Sequence, residues 1–164
     1  MRGENAPPPP ARIPTLREAL LFTRALNWPV NVEIKGHPDH HDRLVRETAR
    51  LISDLEMHAW VLVSSFHHDV LRRLKSLDPR ILTGVLTQET IDDPEALIRA
   101  VNADTLHPAD GKISEALVRR CQAAGIPLIA WTVNDPERLK QLKAWGVSAV
   151  ITDRPQALMP MIHP

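Results

Sequence analysis

Val30-Asn31-Val32-Glu33-Ile34-Lys35 and Trp60-Val61-Leu62-Val63-Ser64-Ser65, together with the stretch that joins them, decide how this chain folds. Both segments are short, β-branched and apolar, the composition of strands covered on both faces, as parallel strands are. Between them Leu44, Thr48, Leu51, Ile52 and Leu55 recur at helical spacing on one face. Strand, helix and strand in that order make a parallel crossover unit.

The same alternation extends toward the C-terminus. Ile81 to Leu86, the short Thr105-Leu106-His107, Leu128 to Val133 and Ala149-Val150-Ile151-Thr152 read as further strands. Val70, Leu71, Leu74 and Leu77 share a helix face, as do Ile113, Leu117, Val118 and Cys121. Asp135-Pro136-Glu137 supplies an N-cap, a first-turn proline and a first-turn acid ahead of Leu139, Leu142 and Trp145. Gly125 and Gly146 stand where a helix ends in a left-handed residue. About six strand–helix alternations predict an α/β fold with a parallel sheet, either doubly wound or closed into a barrel. No glycine-rich turn follows the first strand, so a dinucleotide site has no support.

Bulk properties narrow the function. With 164 residues the chain fits one domain, and Lys plus Arg balance Asp plus Glu at 20 each. That balance argues against nucleic acid as a partner, because such proteins gather a basic excess on one face. No apolar run approaches the length of a membrane span, so no transmembrane segment is expected. Cys121 is the one cysteine, which makes the cytoplasm the default location. Residues 1–12, with Pro7 to Pro10, read as a disordered proline-rich lead-in, leaving 13–164 as the folded part.

In parallel α/β folds the chemistry gathers at the carboxyl ends of the strands. Those ends hold Glu33 and Lys35, Ser65 and Phe66, Thr87, His107, Trp131 to Asn134, and Thr152 with Asp153. Glu33 and Lys35 are two apart, so their side chains point the same way, while Val32 and Ile34 point toward covering helices. A carboxylate at a barrel mouth can ligate a hard cation, and an ammonium beside it can neutralise a phosphate oxygen. The same spacing also fits an ion pair that merely satisfies itself. His37, His40 and His41, with Asp39 and Asp42, form either a polar surface loop or a metal cluster without familiar ligand spacing. His107 is expected to line the mouth. Trp131 either packs a ligand or fills the barrel, and Trp145 belongs to the core. Arg154, in Thr152-Asp153-Arg154-Pro155, meets a phosphate or simply follows a capped turn.

Several segments, in order, resemble the glycerophosphodiester phosphodiesterase family. They are Ile13-Pro14-Thr15-Leu16-Arg17-Glu18-Ala19-Leu20, Val30 to Lys35, Ser64-Ser65-Phe66, Ala124-Gly125-Ile126, Trp131-Thr132-Val133-Asn134-Asp135-Pro136, Trp145-Gly146-Val147 and Ile151-Thr152-Asp153-Arg154-Pro155. The resemblance implies a TIM-type (β/α) barrel and hydrolysis of a glycerophosphodiester to an alcohol and glycerol 3-phosphate, with Mg²⁺ or Ca²⁺. It makes Glu33 a metal ligand, Lys35 a catalytic lysine, and Phe66 and Trp131 substrate-binding residues; His107 joins the substrate-binding set from its strand-end position alone. The family opens with His-Arg-Gly and Glu-x-Asp segments and a His-Asp pair, which supply further ligands and the acid and base. No His-Arg-Gly occurs in this sequence. The expectation is therefore an incomplete barrel of about six of the eight strand–helix units, entered just before the third strand.

Such a remnant has open sheet edges at Val30 to Lys35 and Ala149 to Thr152, which predict a homodimer or a partner chain. Three functions follow: a truncated phosphodiesterase, a catalytically inactive relative acting as a ligand-binding or interaction module, or a different metal-dependent hydrolase using the loop from His37 to Asp42.

Overall fold

The computed structural model describes residues 12–162, so the proline-rich lead-in lies outside them, apart from Arg12. Among the described residues the order is α1 (Leu16–Ala25), β1 (Val30–Glu33), α2 (His41–Asp54), β2 (Val61–Ser65), α3 (His68–Leu77), β3 (Leu82–Thr87), α4 (Pro94–Val101), β4 (Thr105–Pro108), α5 (Glu115–Ala123), β5 (Ile129–Ala130), α6 (Pro136–Trp145), β6 (Ala149–Val150) and α7 (Pro155–Ile162). Strands β1 to β4 pair in parallel in sequence order, and β5 pairs with β6 in the same sense. Single bridges, Leu106 to Leu128 and Ala109 to Trp131, continue the sheet from β4 to β5. Six parallel strands with helices between them form an α/β partial barrel, with β1 and β6 as its outer strands.

The helices begin and end for local reasons. Thr15 and Glu18 form a reciprocal capping box at α1, while Asp93, Ser114 and Asp135 accept from backbone amides at the starts of α4, α5 and α6. Gly146 ends α6 with φ of 88°, a left-handed conformation open to glycine at little cost.

The outer sheet face packs against the helices in two clusters. One joins Ile34, Val61 and Val63 to Leu20, Ile52, Val70 and Leu74; the other joins Val85, Leu106, Leu128 and Ala130 to Leu117, Val118, Cys121 and Leu142. Burying a side chain such as Leu74 fully is worth about 1.5–3 kcal/mol. Leu117, Val118 and Cys121 of α5 and Leu139 and Leu142 of α6 are buried as the periodicity requires, with Trp145 half-buried beside them. On α2 the buried stripe is Val45, Thr48, Ala49 and Ile52, and Leu44 is exposed instead. Leu77 is likewise exposed at the end of α3, where the chain turns away before Asp78. The last two strands are two residues each, shorter than the apolar runs around them, because Pro127 and the loops after Ala130 and Val150 divert the ladder.

Among the described residues the edge of β1 is open. Val30 and Ile34 donate to Trp60 and Ser64 of the β2 side at 2.8 and 2.9 Å. Parallel pairing alternates between neighbours, so the backbone groups of Asn31 and Glu33 are directed at the unpaired side. Phe22 and Trp28, which flank this edge in the chain, are 62% and 59% exposed.

Candidate active site

Alternation along β1 sends Val32 and Ile34 to the helices and leaves Glu33 no direction but inward. Lys35 follows on the same face, and Gly36, at φ of 119°, turns the chain away immediately afterwards. The Lys35 Nζ lies 3.2 Å from Glu33 Oε2. With Lys35 73% exposed, the pair contributes at most about 1 kcal/mol to stability. The contact occupies one oxygen of the carboxylate. Among the described residues the buried Glu33 Oε1 accepts no hydrogen bond, so an ion pair that satisfies itself accounts for half of this side chain.

The end of β1 is pinned to the end of β2. Ser65 Oγ donates to the Ile34 carbonyl at 2.8 Å and accepts from the His67 amide at 3.0 Å. Phe66, between them, meets Trp131 edge to face, with ring centroids 5.3 Å apart. Their strands stand three apart in the sheet, so the two rings bridge across its inner face. A contact of this kind is worth about 0.5–1.5 kcal/mol beyond its buried area. Trp131 is anchored from below, its Nε1 donating to the His107 carbonyl at 2.7 Å.

His107 departs from its expected place at the mouth. It is fully buried, and its ring lies inside the sheet, over Gly84 of the neighbouring strand. Thr105, two residues earlier and on the same face, holds Nε2 at 2.8 Å. Nδ1 is buried with no partner among the described residues, and burial lowers the ring's pKa to about 4. Ser64, in register with Glu33 on one side and Gly84 on the other, is also fully buried with an unpartnered Oγ. The sequence reading passed over Ser64, Gly84 and Thr105. Their signal was parity: Ser64 lies two before Phe66, and Thr105 two before His107, so each shares its neighbour's face.

The remaining strand ends are occupied by structure. Thr87 Oγ1 accepts from the Glu89 amide. Asn134 joins β5 to β6 by bonding Asp153 and Thr152, and Thr152 Oγ1 receives the Arg154 amide. Trp145 packs at the core's margin under the Arg138 guanidinium, 5.0 Å from its ring centroid. In the histidine loop, His37 contacts Asp39, and His41 Nε2 meets the Gly36 carbonyl at 3.1 Å while its ring packs on His67. Among the described residues no three His, Cys, Asp or Glu side chains gather to hold a metal ion, which leaves the histidine-loop metal site unsupported. No described helix is long and apolar enough to cross a membrane.

The structure thus brings Glu33, Lys35, Phe66 and Trp131 to the carboxyl ends of the strands and sets His107 beneath them. The fold is shared with a phosphodiesterase of Oleispira antarctica solved with the product sn-glycerol-3-phosphate, at a TM-score of 0.83 and 24% identity over 92% of this chain and 62% of that one. A glycerophosphodiester phosphodiesterase of Parabacteroides distasonis superposes at a TM-score of 0.79 with 19% identity, over 92% of this chain and 64% of the other. In sequence, the glycerophosphodiester phosphodiesterase of Caldanaerobacter subterraneus is 30% identical over 152 residues, 93% of this chain and 63% of that protein. That of Bacillus altitudinis is 29% identical over 146 residues, 87% of this chain and 60% of that protein. The chain therefore spans about three fifths of the length of the curated relatives it matches. Residues 1–157 match the glycerophosphoryl diester phosphodiesterase family. With the ordered motifs, the parallel partial barrel and these relatives in agreement, the chain belongs to that family.

Proposed function

We propose that this chain carries part of the active site of a phosphoric diester hydrolase that converts a glycerophosphodiester and water to an alcohol and glycerol 3-phosphate. The observation that carries the reading is the Glu33–Lys35 pair at the end of β1, where one carboxylate oxygen is buried and unpartnered. A hard, buried oxygen of this kind suits a divalent cation such as Mg²⁺ or Ca²⁺. When bound, such an ion supplies Lewis-acid stabilisation of the phosphoryl oxygens. Lys35 meets the developing negative charge with its exposed ammonium, and Phe66 with Trp131 shields one side of the site from water. His107 acts below, supporting Trp131 and the inner face of the cleft.

Glu33 offers one carboxylate where a hard cation takes six or more oxygens, so part of the coordination has to come from elsewhere. The open edge of β1 is the natural entry, because a strand paired there stands next to Glu33. That strand belongs either to the same polypeptide or to another chain, a second copy included. A cytoplasmic setting completes the proposal, supported by the unpaired, buried Cys121.

The lone carboxylate favours a second reading, in which the chain binds a phosphate ester or a protein partner without turnover. Choline release from glycerophosphocholine by the purified chain, with Mg²⁺ or Ca²⁺, separates the two. Hydrolysis that falls about 10²–10³-fold in Glu33→Ala supports the enzyme. No release from a folded wild-type chain refutes it as a stand-alone catalyst and leaves the binding module.

A further inference from the structure

We infer that Ser64 and His107 form a buried site that binds a single O–H group on the inner face of the sheet, beside Glu33. Two side chains with no exposure, on strands β2 and β4, each carry a polar atom without a partner. Buried polar groups are paired in folded proteins, and leaving one unpaired costs about as much as losing a hydrogen bond. Two such atoms, on strands either side of Gly84, each call for a partner, and one shared partner would serve both.

The placement follows from Gly84. Strand register sets Ser64 beside Gly84, and Gly84 beside Thr105. A Cβ at Gly84 would fall 2.4 Å from His107 Nε2 and 2.6 Å from its Cε1, so the ring occupies the space that the glycine leaves. The ring and the Ser64 side chain are thus about one strand spacing apart, ~5 Å. That is too long for a direct hydrogen bond and suits one bridging oxygen.

The donor and acceptor pattern selects the ligand. Thr105 Oγ1 donates to the Thr83 carbonyl, so His107 Nε2–H donates to Thr105 and Nδ1 is left as an acceptor. Ser64 Oγ can donate. A bridging group must therefore give a proton to Nδ1, which a bare phosphate oxygen does not do; a hydroxyl or a water gives that proton and also takes one from Ser64, satisfying both groups with one oxygen. The ring is neutral at pH 7, its pKa lowered to about 4 by burial, so it offers no charge to attract an anion. Glu33, on the far side of Ser64, adds a second buried acceptor to the same row.

Either an ordered water or a hydroxyl of a polyol ligand fits, and only the polyol source rests on the proposed function. The test is ¹⁵N NMR of the His107 ring in the full chain, with glycerol as the probe and without it, in wild type, Ser64→Ala and Ser64→Cys. A hydrogen-bonded Nδ1 that persists without glycerol and shifts toward the free value in Ser64→Ala identifies the ligand as water. A resonance that moves only on adding glycerol, with apparent affinity roughly 2- to 12-fold weaker in Ser64→Ala, identifies a polyol hydroxyl. An unbonded Nδ1 in both conditions, or a resonance indifferent to both Ser64 variants, overturns the site. None of these readings depends on hydrolysis, so the inference and the phosphodiesterase proposal fail separately.

Discussion

Gly84→Ala is predicted to be among the most damaging one-carbon changes this chain can take. The added Cβ meets His107 Nε2 at 2.4 Å, Cε1 at 2.6 Å and Thr105 Oγ1 at 2.8 Å. His107 is fully buried, held through Nε2 by Thr105, and roofed by Trp131, whose indole bonds its carbonyl. The ring cannot yield by swinging into solvent. Overpacking of a core costs about 1–3 kcal/mol. Losing the Thr105–His107 bond adds about 0.5–1.5 kcal/mol, for a total of about 1.5–4.5 kcal/mol. At roughly 2–4 °C per kcal/mol for a chain of this size, the melting temperature falls by about 3–18 °C. Circular dichroism melts of wild type, Gly84→Ala, His107→Ala and the double variant provide the assay. In the His107→Ala background the two ring contacts are gone and only the Thr105 Oγ1 contact remains, so Gly84→Ala should cost less there than in wild type, a coupling expected of residues in contact. A Gly84→Ala melt within about 0.5 kcal/mol of wild type, or strict additivity with His107→Ala, refutes the packing of the ring over the glycine.

Acid should destabilise the chain in two stages. His107 has a folded pKa of about 4 against 6.5 in the open chain, so the unfolded state binds more protons between those values. Stability falls as pH drops from 6.5 toward 4 by about 3 kcal/mol, and His107→Gln should flatten that limb in urea titrations. Asp78 is held below the usual carboxylate range chiefly by Arg80, with His58 also bonding it, so its contribution is present above pH 4 and lost at lower pH. Asp78→Asn should lower the melting temperature at pH 7, with the gap to wild type narrowing steadily as pH falls below 4. Trp131→Phe keeps a ring against Phe66 and loses the bond to the His107 carbonyl; urea unfolding should register about 0.5–1.5 kcal/mol. Cys121 is buried with its thiol pKa raised by desolvation, so it should react with a thiol reagent slowly in buffer and at once in denaturant; rapid labelling of the native chain contradicts its burial.

The strands were legible because parallel strands buried on their outer face write themselves as β-branched runs, and Val30 to Lys35 reads that way without help. The inward turn of Glu33 was legible from parity alone. Helix faces were read less well: Leu44 and Leu77 satisfy helical spacing yet lie exposed, since periodicity cannot tell the centre of a buried stripe from its rim. His107 was misplaced for a different reason. Its position at a strand end pointed to the mouth, but an absent side chain on the next strand, at Gly84, lets the ring fold inward. Register between strands distant in sequence decides that, and one chain's residue order does not reveal register. Ser64 and Thr105 escaped notice because a small polar residue in an apolar run is ordinary until its neighbours across the sheet are known.

The open edge of β1 has a thermodynamic corollary. Glu33 ends the strand whose outer side is open among the described residues, and Lys35 follows it, so in the proposed function the ligand site and the completing strand share a wall. A segment that settles on this edge changes the surroundings of the carboxylate, and whatever binds the carboxylate changes the affinity of the edge. Linkage makes the two effects equal in free energy. On that proposal a ligand of this site would regulate assembly to the same extent, and the concentration of the completing segment would set the apparent affinity for the ligand. A tethered segment sees an effective concentration in the millimolar range, whereas a separate chain must reach that level by abundance.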